Sequence, residues 1–331
     1  MCGIAGFVND MPIDVKCPVL QRMTDMIAHR GPDSEGHYID EHAALGHRRL
    51  SIIDLGGGQQ PIYNEDGSKV ITFNGEIYNY QTLREELIAA GHTFTTKSDT
   101  EVLLHGYEQW GVDLLQRVRG MFTFVIWDKN KQELFGARDH FGIKPFYYAK
   151  MNGTFMYASE IKSLLRHPDF VKELNAEALK PYMTFQYPAI GETFFKGVYK
   201  LPEGHYFTYR DGKMDIHRYY DEDFREGKQK LGELVNSIDQ TVCDSVKAHQ
   251  IADVEVGSFL SSGVDSSYVA AVARPQHTYS IGFGKGTYNE SQQAGELAEL
   301  LKLNNTAESL TDEEAFAAFP RIQWHLDEPD S

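Results

Sequence analysis

The sequence predicts two domains of different class: an α+β domain over residues 1–220 and an α/β domain over residues 231–331, joined by a linker at 221–230. Three observations lead there. In the first region β-like runs come in blocks and the helical runs stand apart from them, the pattern of α+β folds. Past residue 230 helical and strand-like runs alternate, which signals βαβ units and a parallel sheet. Between the two lies DEDFREGKQK, charged and almost free of aliphatic residues.

Taken in order, residues 18–29 (PVLQRMTDMIAH) place Val19, Leu20, Met23, Met26 and Ile27 at helical spacing, with Pro18 in the first turn. Strand-like runs follow at LSIID (50–54), KVITFN (69–74), MFTFVIWD (121–128), QELFGAR (132–138), PFYYA (145–149) and TFMYAS (154–159). Two helices are expected among them. TLREELIAAG sets Leu83, Leu87 and Ile88 on one face and stops at Gly91, and TEVLLHGYEQWG stops at Gly111. HYFTYRDGKMDIHRYY reads as a hairpin turning at Asp211-Gly212. The second region is expected to run helix 231–250, strand 254–260, helix 266–274, strand 277–283, helix 289–302, then strand and helix. A doubly wound sheet has about five or six strands, so this domain is expected to be incomplete within the sequence.

Composition narrows the function classes. A formal net charge of -16 argues against nucleic acid or an anionic membrane as the main partner. It leaves room for anionic small molecules in a locally basic pocket. No apolar run approaches the ~20 residues of a membrane span, and MCGIAGFVND lacks the basic and apolar stretches of a signal peptide. The cysteines are three, Cys2, Cys17 and Cys243, a set that fits a reducing compartment and no disulfide framework, so cytoplasm is expected. Cys17 and Cys243 are expected to be buried thiols without a role.

Cys2 is different. With Met1 removed, its thiol and a free α-amino group sit on one carbon. Their reference pKa values, about 8.5 and about 7.7–8.0, let each trade a proton with the other near neutral pH. The nucleophile then needs no separate histidine. Downstream, Asn74 and Gly75 of FNGEIYNY offer an amide and a backbone N–H to a developing oxyanion. Asp99 of KSDTEV suits a substrate ammonium, and Arg49 suits a substrate carboxylate as a bidentate clamp. An amino acid with both charges and a side-chain amide, glutamine, fits the set. Arg48 is expected to be a surface or packing arginine, and His29 and Arg30 to brace a loop.

In the second region FLSSGVDSSYVAA (259–271) joins an apolar strand to a helix start through small residues. Ser261, Ser262, Gly263, Ser266 and Ser267 offer N–H groups and hydroxyls at a helix N-terminus, where phosphate oxygens bind. The loop contains no lysine, so Asp265 would help hold Mg²⁺ to balance the phosphate charge. The plainer alternative is a Ser/Gly-rich turn with Asp265 as a cap. Glu290 and Asp327 could be ligands, or equally a helix-start carboxylate and a solvated acidic loop.

SSGVDSS resembles the pyrophosphate loop of enzymes that split ATP into AMP and pyrophosphate, with Ser262 where that family has glycine. CGIAG, HRGPD, RRLSIID, NGEIYN, SDTE and RDHFGIKPFYY together resemble the class II glutamine amidotransferases. With SSGVDSS and HLDEP added, the chain is similar to the asparagine synthase (glutamine-hydrolysing) family. The resemblance implies an N-terminal-nucleophile αββα sandwich followed by an ATP-pyrophosphatase domain. It implies Cys2 as nucleophile, an oxyanion hole of Asn74 and Gly75, and glutamine binding by Arg49, Asn74, Gly75, Glu76 and Asp99. It also implies ATP binding by Leu260, Ser261, Ser262, Gly263, Val264, Asp265, Ser266, Ser267 and Ile281, with glutamine, aspartate and ATP as substrates and a homodimer as a possible assembly. The alternatives are another ATP-dependent amidotransferase acting on a different carboxylate, and a truncated glutaminase-only protein.

Overall fold

The computed structural model describes residues 1–187, 190–283 and 290–328, which divide into two compact units. The first spans residues 1–223 together with the segment from Asp327. In chain order it contains β1 (Gly3–Val8), α1 (Ile13–Asp25), β2 (Ser34–Ile39), β3 (Ala43–Arg49), β4 (Ile62–Tyr63), β5 (Lys69–Ile77), α2 (Tyr80–Ala89), α3 (Asp99–Trp110), β6 (Gly120–Asp128), β7 (Glu133–Arg138), β8 (Tyr147–Met151), β9 (Thr154–Ala158), α4 (Ile161–Leu164), α5 (Ala176–Phe185), β10 (Val198–Lys200), β11 (His205–Arg210) and β12 (Lys213–Arg218).

These strands form two six-stranded antiparallel sheets, ordered β10-β8-β9-β1-β3-β2 and β12-β11-β7-β6-β5-β4. Three apolar clusters show how they stack. Ile4, Leu45, Val70, Val125, Phe155 and Phe207, drawn from both sheets, fill the layer between them. Phe7 and Ala44 of the first sheet pack on Val19, Leu20 and Met23 of α1 and Ile161 of α4. Ile71, Phe73 and Phe124 of the second sheet pack on Leu83 and Leu87 of α2 and Val102 and Leu103 of α3. The order is therefore helix, sheet, sheet, helix. It follows from strands whose alternate residues are apolar on both faces.

Most expected elements form within a residue or two. The β11–β12 turn has Asp211 at φ +51° and Gly212 at φ +73°, as a two-residue hairpin requires. Several readings need correction. LSIID is a loop, not a strand, because its carbonyls are turned toward Arg49 rather than into a ladder. Helix α1 runs from Ile13 to Asp25 rather than over 18–29, so Pro18 lies inside it rather than in the first turn, and Met26 and Ile27 lie beyond its end. Ile88 is exposed, leaving Leu83 and Leu87 as the buried face of α2. Cys17 is exposed and Cys243 half-buried, so neither is a core thiol. Position 289, expected to open a helix, lies outside the described residues.

The second unit, residues 224–326, holds α6 (Leu231–Ala248), β13 (Ser258–Phe259), α7 (Val264–Ala273), β14 (His277–Phe283), α8 (Glu290–Leu301), β15 (Asn304–Leu310) and α9 (Asp312–Leu326). Its sheet is parallel, in the order β13-β14-β15. The strand expected at 254–260 is reduced to Ser258–Phe259. Leu260, Ala270, Ala294 and Ala298 form its small core. On β14, Thr278 and Ser280 are buried while Tyr279, Ile281 and Phe283 are exposed. Among the described residues no helix is long and apolar enough to cross a membrane.

Candidate active site

Strand parity sets up the site. Ile4 on β1 and Val70 on β5 face the layer between the sheets, and side chains on one face recur every second residue. Cys2 and Asn74 fall on those same parities. They line one cleft of about 460 Å³, counting its open mouth, with Arg49, Gly75, Glu76, Asp99 and Lys144. All five residues expected to bind glutamine are thus brought to the Cys2 thiol.

The thiol is tied to backbone. Leu50 N–H donates to Cys2 Sγ at 3.4 Å, and Sγ lies 3.5 Å from Leu50 O. Burial raises the thiol pKa, while the Leu50 bond, the terminal ammonium and Arg49 pull it back. Asn74 is buried to 1%, and among the described residues neither end of its carboxamide has a hydrogen-bond partner. A buried amide in that state is costly, and its two ends are held ready for a guest. Gly75 beside it can carry no side chain: a Cβ there would meet Met121 O at 2.2 Å and Phe122 Cα at 2.7 Å. The missing side chain lets β6 pack directly against β5 at the cleft.

Asp99 opens α3, which Ser98 caps by accepting from Thr100 N at 3.2 Å. Asp99 Oδ2 accepts from Ile77 N–H at 3.0 Å. Burial, with repulsion from Glu76, pushes its carboxyl up to about 7. A substrate ammonium would restore the charge of such a group.

Arg49 is buried in the cleft wall, but its guanidinium faces the chain itself. Nη2 donates to Ile53 O at 3.1 Å and Asp54 O at 2.6 Å, and Nη1 to Leu55 O at 3.4 Å. It braces the loop that carries Leu50 as well as lining the cleft. Arg48, expected to be a surface or packing arginine, is partly buried, donating to Thr24 O and pairing with Asp25 and Glu35. Arg30 braces more than a loop: its Nε donates to Cys2 O at 2.9 Å and its Nη1 pairs with Glu160.

Lys144 was missing from the expected set. It is buried in the cleft, where burial lowers its pKa. The RDHFGIKP run delivers it. Asp139 accepts from the N–H groups of Phe122, Phe141, Ile143 and Lys144, while Arg138 donates to the carbonyls of Gly142, Lys144 and Leu201. Charged residues flanking an apolar loop were the signal available in the sequence.

In the second unit the serine loop is closed on itself. Ser261 and Ser266 hydroxyls lie 2.8 Å apart, Gly263 N–H donates to Ser261 Oγ at 3.1 Å, and Ser267 Oγ donates to Gly263 O at 2.7 Å. Helix α7 begins at Val264, so Gly263 is its N-cap and Asp265 lies in its first turn. Leu260 is buried against Ala270 rather than open to a ligand, whereas Ile281 is half-exposed. Ser262 and Val264 are exposed on the loop.

Comparison with known proteins follows the same division. The glutamine amidotransferase domain family matches residues 1–220, and the asparagine synthase family matches residues 237–331. Asparagine synthetase [glutamine-hydrolyzing] 1 of Bacillus subtilis is 43% identical over 99% of this chain and 53% of its own length. A putative glutamine-hydrolyzing asparagine synthetase 2 of Methanocaldococcus jannaschii is 32% identical over 99% of this chain and 68% of its own. The chain spans about half the length of the curated relatives it matches from B. subtilis. Among solved structures, glutamine phosphoribosylpyrophosphate amidotransferase from B. subtilis superposes with a TM-score of 0.51 at 15% identity, over 92% of this chain and 65% of that one. That likeness carries the fold alone.

Sheets, flanking helices and family match together define an N-terminal-nucleophile glutamine amidotransferase domain. The chain belongs to the glutamine-hydrolysing asparagine synthetase family.

Proposed function

We propose that this chain hydrolyses glutamine at Cys2, as the glutaminase half of glutamine-dependent asparagine synthesis. The observation that carries the reading is the buried carboxamide of Asn74, without a hydrogen-bond partner among the described residues, in the cleft that holds the Cys2 thiol. With Met1 removed, the Cys2 α-amine takes the thiol proton and the thiolate attacks the glutamine side-chain carbonyl. Negative charge develops on that oxygen, where Asn74 Nδ2 and the Gly75 backbone stabilise it. The C–N bond breaks, the α-ammonium returns its proton to the leaving nitrogen, and ammonia departs. Water then cleaves the γ-glutamyl thioester to glutamate and free thiol. Asp99 holds the substrate ammonium, Arg49 and Glu76 shape the pocket around the α-carboxylate and ammonium, and Lys144 adds a cation beside them.

In the second half, ATP and aspartate give β-aspartyl-AMP and pyrophosphate, and ammonia displaces AMP to give asparagine. Support for the nucleotide site is the N-terminus of α7 at Val264 beside the small-residue loop, whose serine hydroxyls would exchange the bonds they make to one another for phosphate oxygens. Asp265 is exposed beside them, and a single carboxylate plus phosphate oxygens is a donor set Mg²⁺ accepts. The ion would neutralise the pyrophosphate. Ile281 is assigned to the adenine side of that site, while Leu260, packed in the core against Ala270, would support it from beneath.

The test is glutamate release from glutamine by this chain after Met1 removal, with Cys2→Ala as control. Hydrolysis that survives Cys2→Ala, or that fails with Cys2 free, would overturn the assignment. Aspartate-dependent pyrophosphate release from ATP tests the second half separately.

A further inference from the structure

We propose that the glutaminase-type domain carries a divalent transition-metal site of the kind zinc fills, built from Glu65, His92, His105 and Glu108. Three segments converge there. Glu65 follows β4, His92 follows α2, and His105 and Glu108 lie one turn apart on α3. One ligand atom from each lies within 4.8 Å of the other three. His105 Nδ1 is 3.1 Å from Glu108 Oε2 and 3.3 Å from Glu65 Oε2, and His92 Nδ1 is 3.2 Å from Glu65 Oε1. A tetrahedral ion with bonds of about 2.0 Å holds its ligands about 3.3 Å apart. Two imidazoles and two carboxylates form a nitrogen-and-oxygen set that suits zinc, and the two carboxylate charges balance a dication.

The outer contacts point the same way. The His105 side chain is fully buried, and its Nε2 lies 3.5 Å from Glu101 Oε1. His92 Nε2 lies 3.3 Å from Gln109 Oε1. Glu108 Oε1 accepts from Asn64 Nδ2 at 2.7 Å, and Glu65 Oε1 from Thr93 N–H at 3.1 Å. His92 and Glu108 are each oriented through another atom by a polar neighbour, as metal-binding histidines and carboxylates characteristically are, and the buried His105 ring faces the Glu101 carboxylate. The bound ion would clip the loop after β4 and the segment after α2 to α3, the helix that begins at Asp99. Its role is to hold the glutamine cleft in shape, not to react.

The test is calorimetric titration of the chelator-treated 331-residue chain with Zn²⁺, together with absorption spectroscopy of the Co²⁺ form. One ion per chain is expected, with a tetrahedral Co²⁺ spectrum free of thiolate charge transfer and a rise in Tm on Zn²⁺ addition. His92→Gln and Glu65→Gln, both at positions bordering solvent, should each weaken binding at least about tenfold with the fold intact by circular dichroism. No binding to the parent chain overturns the proposal. So does unchanged affinity in both variants, or a thiolate band, either of which would move the ion to another site.

Discussion

Leu50 holds the Cys2 thiol from both sides, its N–H 3.4 Å and its carbonyl 3.5 Å from Sγ. Both contacts are to backbone, so the nucleophile is positioned by the loop that Arg49 braces and not by a neighbouring side chain. Cys2→Ser fits the same contacts. It is expected to leave Tm unchanged and to lower glutamine hydrolysis at least about 10³-fold, because the weaker hydroxyl acid yields far less nucleophile near neutral pH. Single-turnover glutamate release measures it.

The Asn74 side chain makes no hydrogen bond with any described residue, so its removal costs little structure. Asn74→Ala should lower kcat by about 10²–10³-fold with a much smaller change in KM, the signature of an oxyanion donor. Its unfolding free energy in urea should stay within about 1 kcal/mol of the parent, since loss of an unsatisfied buried amide offsets the small void left behind.

Residue type and position in an element made much of this legible. The helix from Asp99 to Gly111 and the Asp211-Gly212 hairpin carry local signals, and the structure follows them. Cys2 lies just before β1, Asp99 opens α3 and Asn74 sits beside Gly75 within β5, and residue type made their chemistry readable. What stayed hidden depends on distant partners. LSIID alternates like a strand, but Arg49 takes its carbonyls. GIAGFV has too many small residues to announce β1, which forms because β3 and β9 pair with it on either side. Lys144 enters the cleft only because Asp139 gathers the N–H groups of its loop, a contact that periodicity does not encode.

That Asp139 contact is itself testable. Asp139→Ala strands the N–H groups of Phe122, Phe141, Ile143 and Lys144 at once. The first domain should lose on the order of 3 kcal/mol, and glutamine kcat/KM should fall as Lys144 leaves the cleft. Asp139→Asn keeps one acceptor oxygen but sets an NH2 donor against the two N–H groups that the other oxygen held, so it should recover only part of the stability.

Asp99 should show opposite effects on stability and function. Burial first, then Glu76, raises its carboxyl to about 7 in the fold, against a reference value of 3.8. Between these values the folded chain binds more protons than the unfolded one. Its contribution to stability is therefore fully present below about pH 3.8 and is lost as pH rises through about 7. Asp99→Asn should raise stability at pH 8 by about 1–4 kcal/mol. It should also raise the glutamine KM about 30-fold or more, since the substrate ammonium loses its partner. In the parent chain the glutamine KM should fall as pH rises through about 7, and in the variant that dependence should vanish.

Met1 lines the same cleft as Cys2, and its Sδ accepts from Lys144 Nζ at 2.9 Å. Burial lowers the pKa of its α-amino group, so an amine can lose its proton near neutrality in this cleft. With Met1 present, however, that amine is one residue removed from the thiol it would serve, and the methionine side chain fills space a substrate needs. Chain retaining Met1 should hydrolyse glutamine at least about 10²-fold more slowly than chain beginning at Cys2. Its Cys2 should also alkylate with a pH midpoint above the ordinary thiol range, because burial raises the thiol pKa. Mass spectrometry of the two forms, paired with glutamate release and iodoacetamide rates, measures both effects. Equal activity of the two forms would mean that the base is not the α-amine of Cys2.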